Sequence, residues 1–576
     1  MNFSKNLVYY MAVTLLLLAV NNVCSATDYQ QQAFLKASNP DFSDLLGSNS
    51  VAISNNTLVI GAMYEDSNAT GVNGDQSNND ASQSGAVYIF TRQDGVWSQQ
   101  AYLKASNTDT DDFFGYAVDI FDDTVVVGAP NEDSDATGVN GDESNNDAAS
   151  SGAVYVFTRN AGIWSQQAYL KASNPDSGDF FGSSVAISGN KVVVGAQLES
   201  SDATGVNGDE SNNNSTSAGA AYVFSRNAGM WSQEAYLKAS NTDAGDGFGI
   251  DVAISGTSIV VGAYGEQSGS TGVNGDENNR DASGSGAAYV FIYDTGNWQQ
   301  QAYLKASNTD ELDWFGYAVD IAENTVVIGA YREDSDSVGI DADGSNNDAD
   351  ESGAAYVFTR SLGIWSQQAY IKAFNTEADD SFGKSVSISG NNLVIGAFHE
   401  DSNATGVDGD ERNNDVEDAG AAYIFTRNAG IWQQLHYLKS ENPAVTYYFG
   451  HQVAVSENTV LLSEQNEGFF VPASGAAYVF NQPNSYGLNV AVTGLMSDGL
   501  VLQNNGADDL VILSNGISQF AAQLAEGESY QVTISSQPNN SDHTCLFEGS
   551  HAGVITSTAV LIKVRCADFI FVDDFE

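Results

Sequence analysis

Six stretches of this chain set carboxylates and carboxamides at spacings that could hold a cation. Each carries the box [Asn/Asp]-[Gly/Ala]-Asp-x4-[Asp/Asn]. The copies are Asn73, Asp75, Asp80; Asn140, Asp142, Asp147; Asn207, Asp209, Asn214; Asn274, Asp276, Asp281; Asp341, Asp343, Asp348; and Asp408, Asp410, Asp415. Calcium takes six to eight oxygens, and carboxylates two apart on a glycine-bent loop supply several together. The same residue types also form turns by capping their own backbone, so a calcium site and a solvated loop are both open readings. A second box precedes it, as Asp66, Asn68, Thr70, Gly71, with counterparts from Asp133 and Asp401. It looks like the start of a calcium loop, but no Glu stands at the twelfth position, which excludes an EF-hand.

Catalytic signatures are absent from the sequence. The five histidines, His399, His436, His451, His543 and His551, neither recur with the repeats nor fall in His-Glu-x-x-His spacing. No nucleophile elbow or phosphate loop occurs. Acid pairs abound, which leaves a glycosidase dyad open, yet a catalytic site would break the likeness between repeats. The expectation is a non-enzymatic module, with a lectin-like or hydrolytic protein acting on polysaccharide as the alternative. Trp97, Trp164, Trp231, Trp298, Trp365 and Trp432 could stack on sugars, but their place at the start of a strand in each repeat favours packing. Arg92, Arg159 and Arg226 read as exposed strand ends.

These boxes are positioned by a repeat of about 67 residues. A phrase of the type AYLKAS begins at Ala33, Ala101, Ala168, Ala235, Ala302, Ala369 and His436, and a glycine usually preceded by Phe follows at Gly47 and at six later counterparts from Gly115 to Gly450. Between Gly115 and Lys171 lie four short runs rich in Val, Ile, Tyr and Phe: YAVDIF, TVVVGA, GAVYVF and IWSQQAYLKA. All read as strands, the first two joined by a tight turn. Four antiparallel strands per repeat make a propeller blade, and seven repeats predict an all-β, seven-bladed β-propeller. The last repeat lacks its fourth strand and the chain begins with one, Tyr29 to Ala37. Pairing the two closes the ring and removes its open edge.

The predicted organisation is a signal peptide at 1–26, the propeller at 27–482, a small β-sandwich at 483–567 and a tail at 568–576. Lys5, the apolar run Leu7–Val20 and Cys24-Ser25-Ala26 have the make-up of a secretory signal, too short to span a membrane comfortably. A secreted or cell-surface protein is expected, with no membrane span after cleavage. In that setting Cys545 and Cys566 form one disulfide. A formal charge of −54 argues against nucleic acid and anionic lipid as partners. It leaves an extracellular protein or polysaccharide.

The charge is unevenly placed. A 22-residue insert separates the second and third strands of blades one to six, at 63–84, 130–151, 197–218, 264–285, 331–352 and 398–419. These inserts hold 34 of the 74 acids, and the segments entering each Phe-Gly add 16. Both loop types emerge on one propeller face. Blade seven has a loop 12 residues shorter, so the insert reads as something the blade does not need. Its recurrence calls for an account in binding, metal chelation or recent duplication, and Ca²⁺ is the expected ion.

The succession FFGYAVDI, TVVVGAP and GAVYVF resembles the FG-GAP repeat of the integrin α-subunit β-propeller, most closely at Phe114-Gly115 and Gly128-Ala129-Pro130, and the likeness runs over 29–480. The resemblance implies the propeller fold and an adhesion or recognition role. That family's calcium lies in the hairpin between its Phe-Gly and Gly-Ala-Pro strands, which here is about two residues long, so its ligands do not carry over. Residues 484–566 look like a small secreted β-sandwich module found at the ends of bacterial exported proteins, and 568–576 is similar to the tails of such proteins.

Overall fold

The computed structural model describes residues 29–467, 472–482, 485–525, 528–539, 543–556 and 559–568. The predicted signal peptide and all of the predicted tail after Asp568 lie outside the described residues. Two compact units are present, one spanning Gln31–Asn481 and the other including the chain from Gln482 onward.

The first unit consists of four-stranded antiparallel sheets. Blade one runs Val51–Ser54, Thr57–Ala62, Ala86–Gln93 and Val96–Leu103, from the inside outward. Blade two repeats it at Ala117–Phe121, Thr124–Ala129, Ala153–Asn160 and Ile163–Leu170. In blade seven the sheet order is Phe449–Ser456, Thr459–Glu464, Ala476–Asn481 and then Gln30–Leu35, so the first strand among the described residues supplies the outer strand of the last blade. The innermost strands contact one another in sequence, and that of blade seven touches that of blade one. Trp97 Nε1 donates to Gln32 Oε1 at 2.8 Å across this junction, the same bond Trp164 makes to Gln100 between blades one and two.

The core lies between blades. Val125 and Val127 pack into the cluster shared with blade one, while Val126 between them packs into the cluster shared with blade three. Both faces of the second strand are therefore buried, which is why TVVVGA is continuously apolar rather than alternating. The Phe-Gly and Gly-Ala phrases are the two halves of one close approach. Gly115 has φ +91°, and a Cβ on Gly61 of the preceding blade would stand 2.0 Å from its carbonyl oxygen. Glycine at both places lets adjoining blades meet backbone to backbone.

The second unit has two four-stranded sheets whose inward side chains, among them Leu488, Leu502, Phe520, Val532 and Val564, form one core. Cys545 and Cys566 face each other on adjacent antiparallel strands and are joined by the expected disulfide.

The expectation that a blade does not need its insert is corrected here. The stem of each insert is buried: Glu65 is 2% exposed and Ser67 0%. Blade seven, whose loop is shorter, keeps Glu467 at the position of Glu65 and Ser474 at that of Ser84. Only the polar tip is dispensable to the blade.

Candidate functional site

The inserts and the segments leading into Phe-Gly come together at one end of the ring. Asn107, in the segment entering blade two, donates to Glu132 Oε1 and to the carbonyl of Glu143 in that blade's insert, both at 2.9 Å. Asn146 donates to Asp109 at 2.8 Å.

At the root of each insert lies a buried ion pair that sequence reasoning missed. Lys171 Nζ meets Glu132 Oε2 at 2.9 Å and Ser151 Oγ at 2.7 Å, with its side chain fully buried. Glu132 further accepts from Tyr169 Oη and the Ser134 amide. Equivalent pairs are Lys104–Glu65, Lys238–Glu199, Lys305–Glu266, Lys372–Glu333, Lys439–Glu400 and Lys36–Glu467. Burial pulls the Lys171 amine down while Glu132 holds it up. The signal was present: in six repeats the lysine of AYLKAS stands 39 residues after a glutamate.

Beside these pairs sit buried aspartates. Asp112 accepts the Asp109 amide at 2.9 Å, and burial raises its carboxyl to about 8. Asp313 and Asp380 are likewise raised to about 8, and Asp44, Asp179 and Asp246 to about 7, burial being the largest cause in each.

The structure places the recurring box on the exposed tips, and much of it is engaged in turn capping. The first member accepts a backbone N–H from the outer strand: Asn73 from Tyr102, Asn140 from Tyr169, Asn207 from Tyr236, Asn274 from Tyr303, Asp341 from Tyr370 and Asp408 from Tyr437. Asp408 also bonds His436 Nδ1 at 2.8 Å. The second member caps the residue two ahead: Asp75, Asp142, Asp209, Asp276, Asp343 and Asp410 each accept that amide. Serine bonds hold Asp75, Asp142, Asp209 and Asp343 below the usual carboxylate range. Among the described residues, no three His, Cys, Asp or Glu side chains converge as a metal cage.

The third member differs. In blades three and six it is linked to the residue twelve before it, Asn214 to Asp202 at 3.2 Å and Asn403 to Asp415 at 3.1 Å. In blades two and five both equivalents are aspartate, Asp135 with Asp147 and Asp336 with Asp348. There the bonding carboxamide is replaced by a second negative charge. At the same positions blade one carries Asn68 with Asp80 and blade four Gly269 with Asp281.

The tryptophans are buried packing groups, as expected. The reading of the arginines as exposed strand ends is corrected. Arg159 lies over Trp164 at 5.0 Å, bonds Asp123 on its own blade, and reaches Gln100 and Thr57 of blade one. Arg92 and Arg226 lie over Trp97 and Trp231 in the same way. They clamp neighbouring blades. Blade four has Tyr293 instead, and Lys191 of blade three supplies the cation, 4.5 Å from the Tyr293 ring and paired with Glu234.

The inner strands enclose a channel of about 560 Å³. Along it, side chains of one blade accept amides of the next: Asp119 from Ile187, Asp251 from Val319 and Asp320 from Ile388.

Six segments, 29–90, 97–157, 164–224, 231–291, 298–358 and 365–425, match the FG-GAP repeat family and together cover more than half of the chain. No curated protein matches it.

Proposed function

Since the chain belongs to the FG-GAP repeat family, we propose that it is a non-enzymatic adhesion or recognition module, secreted or at the cell surface, whose insert face binds Ca²⁺ and through it an extracellular protein or polysaccharide. The observation that carries this reading is the replacement of a bonded Asn–Asp pair by Asp135 with Asp147 and by Asp336 with Asp348. Two carboxylates at the positions of that bonded pair repel unless a proton or a cation lies between them, and a divalent oxygen-seeking ion suits both the charge and the loop. Loop carbonyls and water would complete its coordination.

Calorimetric titration at moderate salt tests this, because screening then suppresses diffuse ion binding. Calcium should give a saturable heat, and at a hundred times its dissociation constant should stabilise the fold by about 2.7 kcal/mol. Replacing Asp147 and Asp348 with Asn should remove most of that heat. A response no larger than that of matched ionic strength would leave the inserts as solvated caps and end the calcium reading.

A further inference from the structure

The blades diverge most plainly around the end of the channel nearest the inserts. After the Phe-Gly glycine stand Tyr116, Ser183, Ile250, Tyr317, Lys384 and His451 in blades two to seven. After Gly-Ala, blade two has Pro130 where blades five and six have Tyr331 and Phe398. The fold accepts serine or isoleucine at the first of these positions, so it does not require the others.

These divergent residues meet. Lys384 Nζ lies 3.9 Å from the Tyr317 ring centre and 4.7 Å from that of Tyr331, and donates to Tyr317 Oη at 2.6 Å. Phe398 packs edge-on to His451 at 5.0 Å. Tyr317, Lys384 and His451 line the channel, together with Ser183. Among the described residues Lys384 has no carboxylate partner, whereas the seven lysines at the insert roots each have one. A half-buried, unpaired cation in a chain of charge −54 is an exception that calls for an anion. Among the described residues, two further channel-lining groups have no hydrogen-bond partner: His451 Nδ1 and, in blade three, the Ser183 hydroxyl, on a side chain 8% exposed.

We propose that this end of the channel binds a small ligand of the sugar-acid class, with its carboxylate on Lys384, its ring against Tyr317, and its hydroxyls toward His451 and Ser183. This site is separate from the calcium reading of the insert tips. The acids of the surrounding inserts repel a polyanion at long range, which favours a single small charge. Added salt screens that repulsion more than it screens a contact pair inside the channel, so affinity should hold or rise with ionic strength.

The pH dependence follows from the groups around the amine. Tyr317 and Tyr331 are raised by burial and stay neutral, and Arg332 is paired with Glu351. His451 is lowered to about 3 by burial and by the Lys384 charge, so it is neutral too. Burial lowers Lys384 to about 7.

Titration with glucuronate, monitored by calorimetry on the whole chain, tests the proposal, with glucose as neutral control and benzoate as a carboxylate that is not a sugar. One site per chain is expected, at least tenfold tighter for glucuronate than for glucose, and Lys384→Met should abolish binding at an unchanged melting temperature. In the unmodified protein, affinity should fall tenfold or more between pH 6 and pH 9 as the amine loses its proton, a measurement that needs no variant. No saturable heat at millimolar glucuronate, equal affinity in Lys384→Met, or a flat pH profile would overturn the site. Benzoate binding tenfold tighter than glucuronate would overturn the sugar-acid assignment.

Discussion

Replacing Lys171 with Met removes a charge from the root of the blade-two insert without removing much volume. Glu132 would then be a carboxylate with its side chain only 2% exposed and no cation beside it, holding Tyr169, Ser134 and Asn107 as its remaining donors. Stripping one partner from a buried pair costs about 3–5 kcal/mol, because the charge left behind has lost both water and its counter-ion. Unfolding entropy of about 2.1 cal/mol/K per residue, over a ring of this size, is roughly 1 kcal/mol per kelvin, so the melting temperature should drop by about 3–5 °C. Adding Glu132→Gln should recover part of the loss, since the double variant buries no net charge and the glutamine oxygen still accepts a bond. Differential scanning calorimetry of the four proteins in the cycle measures the coupling. If Lys171→Met costs less than about 1 kcal/mol, or the double variant is less stable than both single ones, the pair is not what holds the insert root.

Stability should also depend on pH in an unusual direction. Asp44, Asp112, Asp179, Asp246, Asp313 and Asp380 have folded values of about 7 to 8 against an ordinary 3.8, so the folded state binds more protons than the unfolded one across that interval. Their contribution is fully present below the unfolded value and is lost as pH rises through 7 to 8. The melting temperature at constant ionic strength should therefore be higher at pH 5.5 than at pH 8.5, and Asp112→Asn should raise it at pH 8.5; a melting curve independent of pH would contradict the burial of these carboxyls. Deleting residues 27–38 removes the strand that completes blade seven and should lower the ring's melting temperature by several degrees, whereas an unchanged transition would show that the ring is held without it. Cys545→Ser with Cys566→Ser should destabilise the C-terminal unit by roughly 3 kcal/mol, measured by denaturant titration of that unit's transition. An unshifted midpoint would mean the bridge constrains little.

Much of the fold was legible because the repeat states it seven times. Strand positions, the tight turn between the first two strands, the missing fourth strand of blade seven and the disulfide all depend on local pattern or on simple pairing of leftovers. The same repetition hid other things. The lysine of AYLKAS served only as a marker of the period, and its partner Glu132 stands 39 residues earlier, too far along the chain for local pattern to join the two. Arg159 read as a strand end because its partners Gln100 and Thr57 belong to another blade, 59 and 102 residues away.

By itself the sequence determined the architecture, because strand periodicity, glycine at Gly61 and Gly115, and the count of repeats are properties of short segments that the fold multiplies. Tertiary structure alone decided which acids are chemically available. Asn73 is bound to an outer-strand amide, Asp75 to its own turn, Glu65 is sealed against Lys104, and Asp112 is buried. All are polar residues in one acidic stretch of text, and only the closing of blade on blade assigns each to water, to a backbone amide or to a counter-charge. The meeting of Lys384, Tyr317, Tyr331 and His451 is of the same kind. Residues that differ from copy to copy look like drift along the chain, and they become a site only when the ring brings four of them to one opening.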